Sequence, residues 1–351
     1  MEISTPGRIC LFGEHQDYLG LPVIAMAISL RVNIVGEKRQ DRKIIIHKPD
    51  LGKKEIFSLD NLDYSQSRDY FKSGIKTCIN MGLSFDKGFE CEIKSNIPIQ
   101  AGTSSSSAIV VSWINFLAQV AAKKPKWSLK KIGELAYQTE CLEFKEPGGM
   151  MDQYITSCGG MLLIKSEPKV SVEKIDSELG NFVLGDSGEL KNTLDILNRC
   201  KTLRMKIFKK IRSVTSQFDL HTCKDDMDVS FLNRVEKNLF FATIKNRNLL
   251  EKSLKELSKR DVDPTYFGHL LNEQHKILRD DLNVSTRKIE SMLSASKLAG
   301  AFGGKINGSG GGGCMFAYAP ENPKKVASAI ESVGGRAYII GKDEGTKILL
   351  K

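Results

Sequence analysis

Hydrophobic and polar positions along the chain follow two rhythms. In the first third, runs rich in Ile, Val and Phe succeed one another with polar breaks: ICLFG (9–13), PVIAMAISLRVNIVGEK (22–38), KIIIHK (43–48) and FECEIKSNI (89–97). β-Branched and aromatic runs bounded by polar clusters predict strands, so this part reads as a sheet. AIVVSWINFLAQVAAKK (108–124) and SLKKIGELAYQTECLEF (128–144) instead space their apolar residues three and four apart, with Pro125 between them and Ser128 opening the second. That spacing lines one face of a helix, and Ser128 stands where a capping oxygen is wanted. GGMLLIKS (159–166) returns to strand. Helical patterns dominate from about residue 190 (193–214, 231–259, 285–300), and MFAYAP, KKVASAIESVG and RAYII close the chain as strand, helix and strand. The expected fold class is α+β with two layered domains.

Composition narrows the function classes. With 351 residues, 41% hydrophobic and 27% charged, the chain reads as a globular protein long enough for two domains. MEISTPGRIC has neither a basic nor an apolar leader pattern, and no run of about 18 apolar residues occurs, so we expect a cytoplasmic protein that does not enter membranes. Eight cysteines are scattered without a C-x-x-C pair, which suits reduced, buried thiols better than disulfides or zinc. The net charge of +10 lies largely in KTLRMKIFKKIR (201–212) and KELSKRD (255–261), whose helical spacing reads as solvated faces; no nucleic-acid partner is expected.

Three stretches carry candidate chemistry. PIQAGTSSSSAIVV (98–111) sets Gly102 and Ser104, Ser105, Ser106 and Ser107 between a strand and a helix. A helix N-terminus offers free N–H groups and positive dipole charge to a phosphate, and a glycine lets the backbone approach it. No Gly-Lys-Ser/Thr follows, so neutralising charge has to come from the dipole, hydroxyls and a metal; a plain serine N-cap is the alternative. KINGSGGGGCMFAY (305–318) holds Gly308 and Gly310 among five glycines directly before a strand. Each glycine costs about 0.5–1 kcal/mol relative to Ala, so the tract marks close backbone packing, ligand contact or a flexible linker. ECLEFKEPGGMMDQ (140–153) places Glu140 near a helix end and Asp152 past a Pro-Gly-Gly turn, ahead of a strand. One carboxylate can hold a cation and the other accept a proton, or both are simply solvated.

Together with PGRICLFGEHQDYLG (6–20), these stretches occur in the order of the GHMP kinase motifs, and from residue 6 to the last strand the chain resembles that family, galactokinase-like members above all. The resemblance implies a two-domain GHMP fold, with an N-terminal domain over 1–170 and a C-terminal domain over 171–351 that closes the cleft with its glycine motif. It implies ATP as co-substrate, Mg²⁺ as cofactor and a small-molecule sugar as acceptor; it says nothing of oligomeric state. It makes Asp152 the proton acceptor and Arg8 its stabilising partner, Ser105 or its neighbour Ser106 and Glu140 the metal ligands, and Ser104–Ser107, Gly102, Gly308 and Gly310 the ATP site. Glu14, His15 and Asp17 are implied to hydrogen-bond sugar hydroxyls and Gly149 to offer its backbone to the sugar, whose anomeric hydroxyl takes the phosphate; a structural histidine at His15 and a packing aromatic at Tyr18 are the alternatives. LGDSGELKNTLDILNRC (184–200) departs from galactokinases and is similar to mevalonate kinases, so a hydroxy-acid kinase remains open, as does a non-catalytic sensor.

Overall fold

The computed structural model describes residues 1–99 and 101–349. β1 (Glu2–Phe12) and β2 (Val23–Lys38) form a long antiparallel ribbon, followed by the hairpin β3 (Lys43–Lys48) and β4 (Lys53–Ser58), helix α1 (Tyr70–Asn80) and β5 (Phe89–Ser95). Helices α2 (Ser105–Val120), α3 (Leu129–Tyr137) and α4 (Met151–Cys158) come next, then β6 (Met161–Lys165), β7 (Ser171–Lys174) and β8 (Phe182–Asp186). Four helices α5 (Thr193–Val214), α6 (Arg234–Leu257), α7 (Pro264–Lys276) and α8 (Arg287–Leu298) lead to β9 (Gly303–Ile306), β10 (Cys314–Tyr318), α9 (Pro323–Ser332), β11 (Arg336–Ile340) and β12 (Lys347–Leu349).

The larger sheet runs β12-β1-β2-β5-β3-β4, and β2 is long enough to serve two neighbours, β6 through Val23–Met26 and β5 through Val32–Lys38. β12 pairs with β1, and Thr5, Ser112, Asn115 and Thr346 share buried hydrogen bonds beneath that pairing. The smaller sheet is β11-β8-β10-β9, antiparallel throughout. Its two faces separate by strand alternation. Val183, Met315 and Ala317 pack under Ile289 of α8 and Ile330 of α9, whereas Phe182, Leu184 and Phe316 share a core with Phe267 of α7 and with Ile9 and Leu11 of β1. The two halves therefore meet through apolar side chains of β1, the strand that also carries Arg8. The α+β class is as expected. The expected division at 170/171 falls between β6 and β7 of one sheet, and β12 returns from the second half to the first.

Several elements differ from the expected ones. α1 lies in a stretch read as strands; Asp69 caps it by accepting from Lys72 N, and its buried face of Phe71, Ile75 and Cys78 meets Trp113. α2 begins at Ser105, three residues before its first apolar residue, and ends at Val120. α3 stops at Tyr137 and gives way to a π-helical turn over Gln138–Leu142. Asp152, expected in a turn ahead of a strand, stands in the first turn of α4. All eight cysteines are free thiols. Among the described residues no helix is long and apolar enough to cross a membrane.

Candidate active site

Between the halves lies a cavity of about 390 Å³, walled by β1 and its following loop, the start of α2, α4 and the segment before α5. At one end α2 begins unusually. Ser104 adopts φ +61° and its side chain caps nothing; its Oγ is buried with no partner, so the serine N-cap alternative fails. The first amides of this 16-residue helix are thus left without a side-chain cap at the positive end of its dipole. Against them packs the glycine tract. A Cβ on Gly308 (φ +76°) would lie 2.7 Å from the Gly102 carbonyl, and one on Gly313 2.7 Å from that of Ala101. Asn307 Nδ2 donates to the Gly102 carbonyl at 2.8 Å, and Cys314 N donates to that of Ala101 at 2.7 Å. The tract is therefore a close-packed backbone surface, not a linker. Gly310 turns away from the cavity, against Val284.

In the cavity wall, Arg8 and Asp152 form a bidentate pair, Nε to Oδ1 at 2.8 Å and a terminal nitrogen to Oδ2 at 2.9 Å. Local backbone explains the aim of Arg8. The β1–β2 register slips between Pro6 and Gly7, where proline has no N–H to give, and Gly7 lets β1 lie against the Thr103 carbonyl, to which Arg8 N donates at 3.1 Å. Arg8 also donates to the Gly102 carbonyl, which ties the pair to the start of α2. Burial lowers the guanidinium's hold on its proton, but Asp152 and Glu14 outweigh it and raise its pKa.

The loop after β1 divides its polar residues between two tasks. The Glu14 carboxylate, buried, accepts from Lys305 Nζ and from Gly308 N, and Lys305 also donates to the Cys10 carbonyl at 2.9 Å. His15 Nε2 donates to the Ser309 carbonyl at 3.1 Å and Nδ1 accepts from Tyr18 Oη at 2.8 Å, while Tyr18 Oη accepts from buried Arg204. Burial, with Arg204 nearby, lowers the His15 pKa to about 3 and keeps the ring neutral. The protein itself thus engages Glu14 and both ring nitrogens of His15, which also line the cavity, and Tyr18 is a link in a polar chain. Asp17 differs. It accepts from Tyr18 N at 2.9 Å and faces Gly149 so closely that a Cβ there would lie 2.0 Å from its Oδ2. Burial and then the like charge of Asp152 raise its pKa to about 6.

Glu140 stands on the π-helical turn, whose extra residue re-aims a side chain relative to a regular helix. It is buried and accepts from Gln153 Nε2 at 2.6 Å, and the neighbouring hydroxyls of Ser106 and Ser107 favour its charged form. Ser105 lines the same cavity as these two serines and Glu140. Burial raises its pKa. A desolvated carboxylate with hydroxyl oxygens beside it fits a hard cation. Among the described residues no three His, Cys, Asp or Glu side chains gather, so a metal here would need ligand oxygens from elsewhere. Sequence reasoning missed Lys305 and Arg204, single cations 291 and 186 residues from their partners, and Lys191, which lines the same cavity.

The family models for the GHMP kinases N terminal domain (residues 69–160), the GHMP kinases C terminal (251–336) and the galactokinase galactose-binding signature (2–38) match the chain. A mevalonate kinase of Thermococcus sibiricus is 30% identical over 350 residues, covering 96% of this chain and 94% of the relative. The chain belongs to the GHMP kinase family. It is accordingly an ATP-dependent phosphotransferase. Among other GHMP kinases, a galactokinase of Clostridium beijerinckii is 27% identical over 370 residues, covering 98% and 93% of the two chains. The fold is shared with the Lactococcus lactis galactokinase complexed with galactose (TM-score 0.87, 22% identity, 99% and 95% covered) and with the Methanococcus jannaschii mevalonate kinase (0.76, 22%, 98% and 98%).

Proposed function

We propose that this GHMP kinase transfers the terminal phosphoryl group of ATP to the anomeric hydroxyl of a monosaccharide, galactose or a related sugar. The bidentate Arg8–Asp152 pair beside Asp17 carries this reading, and Arg8 and Asp17 lie within the residues that match the galactose-binding signature. The phosphates lie across the N-terminus of α2, against Gly102, Ser104–Ser107 and Gly308. The base enters the adjoining cleft of about 210 Å³, lined by Leu51, Ile109 and Trp113. Glu140 with the Ser106 or Ser107 hydroxyl would hold Mg²⁺ together with phosphate oxygens; bound there, the ion neutralises charge on the nucleotide. Asp152 takes the acceptor proton as the new bond forms, and Arg8 fixes the carboxylate and stabilises charge in transfer. Asp17 and the Gly149 backbone bind sugar hydroxyls. Glu14 and His15 act one step back: they fasten the acceptor loop to the glycine tract.

A second reading has its own support. The 30% identical relative is a mevalonate kinase, and residues 184–200 are similar to that branch, which favours a hydroxy-acid acceptor. One assay separates the two: ADP release from ATP and Mg²⁺ over a panel of free sugars and mevalonate, with acceptor-free controls. The sugar reading expects turnover with a sugar, and a product that has lost its reducing end. Turnover on mevalonate alone overturns it.

A further inference from the structure

The cavity holds a cation that no described residue satisfies. Lys191, in the segment before α5, buries its Nζ without any hydrogen-bond partner among the described residues, 2.7 Å from where a Cβ on Gly102 would lie. Two more buried groups in this cavity are orphaned as well, the Oγ of Ser104 and of Ser309. They come from three separate segments of the chain and line one cavity. We propose that the Lys191 ammonium grips the terminal phosphates of the nucleotide, supplying from the second half of the chain the fixed positive charge that the serine tract lacks. This rests on the kinase reading above and adds the residue that reads the phosphates.

The ligand class follows from the donors. An ammonium offers three donors and no acceptor, so its missing partner is rich in acceptor oxygens. Arg8 and the dipole of α2 are positive at the same place, which selects an anion over a neutral hydroxyl. Burial, with Arg8 adding to it, lowers the Lys191 pKa to about 8, while Cys314, Glu14 and Asp152 pull the other way. A phosphate seated on the ammonium would reverse that shift. In the transfer the acceptor oxygen bonds to the terminal phosphorus as the bond from phosphorus to the bridging oxygen breaks. That electron pair stays on ADP and the acceptor proton goes to Asp152. Lys191 exchanges no proton; its charge offsets what accumulates on the phosphate oxygens.

Calorimetric titration of the full chain with ATP, ADP and AMP, without acceptor, tests this on the parent, Lys191→Met and Lys191→Arg. We expect Lys191→Met to weaken ATP by about 10- to 100-fold, the range for a lost charge-assisted hydrogen bond. AMP and acceptor binding should hold, and Lys191→Arg should recover most of the ATP affinity. Lys191→Met should also melt no lower than the parent without ligand, because it replaces an unpartnered buried charge with an apolar chain of similar length. ATP affinity and turnover equal to the parent overturn the proposal, as does a loss confined to the acceptor. A parent that binds no ATP overturns the kinase reading itself; a parent that phosphorylates its acceptor beside an unaltered Lys191→Met removes Lys191 alone.

Discussion

The two ends of the cavity are built from different materials. The end at α2 is backbone: uncapped helix amides, and glycines at 102 and 308 in van der Waals contact with each other's chain. The end at the loop after β1 is side chain: Arg8 on Asp152, Asp17 against Gly149, and a relay from Arg204 through Tyr18 and His15 to the Ser309 carbonyl. Phosphates are alike in every nucleotide, so a fixed backbone surface serves them. Acceptors differ in hydroxyl pattern, and side chains can be exchanged to match. On the reading proposed above, phosphate binding belongs to the first end, and proton transfer and acceptor selectivity to the second.

Substitutions can break that contrast. The largest effect is expected at Asp152→Asn, which should cut kcat by about 10²–10⁴-fold while leaving ATP affinity within a few-fold of the parent. An ATP affinity that falls along with kcat would dissolve the division between the ends. Next is Lys305→Met, which strands the buried Glu14 carboxylate; removing one partner of a buried pair costs about 3–5 kcal/mol, read as a loss in urea unfolding. Lys305→Met combined with Glu14→Gln should recover part of that loss, and no recovery would mean that the pair is not coupled. Gly308→Ala forces a Cβ to 2.7 Å from the Gly102 carbonyl at φ +76° and should cost about 1–3 kcal/mol and weaken ATP before acceptor. The smallest effect is a pH dependence. Asp17 is raised to about 6 by burial, so it is charged above and protonated below that pH. Acceptor kcat/KM should then decline by up to tenfold per unit below about pH 6 while ATP affinity stays level, and Asp17→Asn should abolish that limb. The same raised pKa lowers stability progressively as pH rises from the ordinary carboxylate range to about 6, and the loss stays complete above that pH, because folding holds the proton on Asp17.

What could be read from the sequence follows the same boundary. The glycine and serine tracts announced the backbone end because such backbone needs those residues in a row, and Arg8, Asp152 and Glu140 lay in dense motifs. The second tier could not be read. Lys305, Arg204 and Lys191 are single cations in a chain with many, and what sets them apart is burial, which appears only when distant segments fold together. Glu14 and His15 were legible as site residues but not as occupied ones, since their partners in the glycine tract lie 294 residues away. The register of the serines was lost for a local reason: α2 starts inside the tract, so neighbouring hydroxyls point about 100° apart, and the sequence does not say which of them faces Glu140.

The pairing of β12 with β1 has a consequence for how the enzyme is made. Thr5 and Thr346 bond at 2.7 Å across 341 residues, so the first residues of β1, Glu2–Ser4, lack their outer partner until residues 347–349 have been translated. At a synthesis rate of about 5–20 residues per second, that edge waits tens of seconds. Through that interval this short edge of β1 offers a template for a foreign strand.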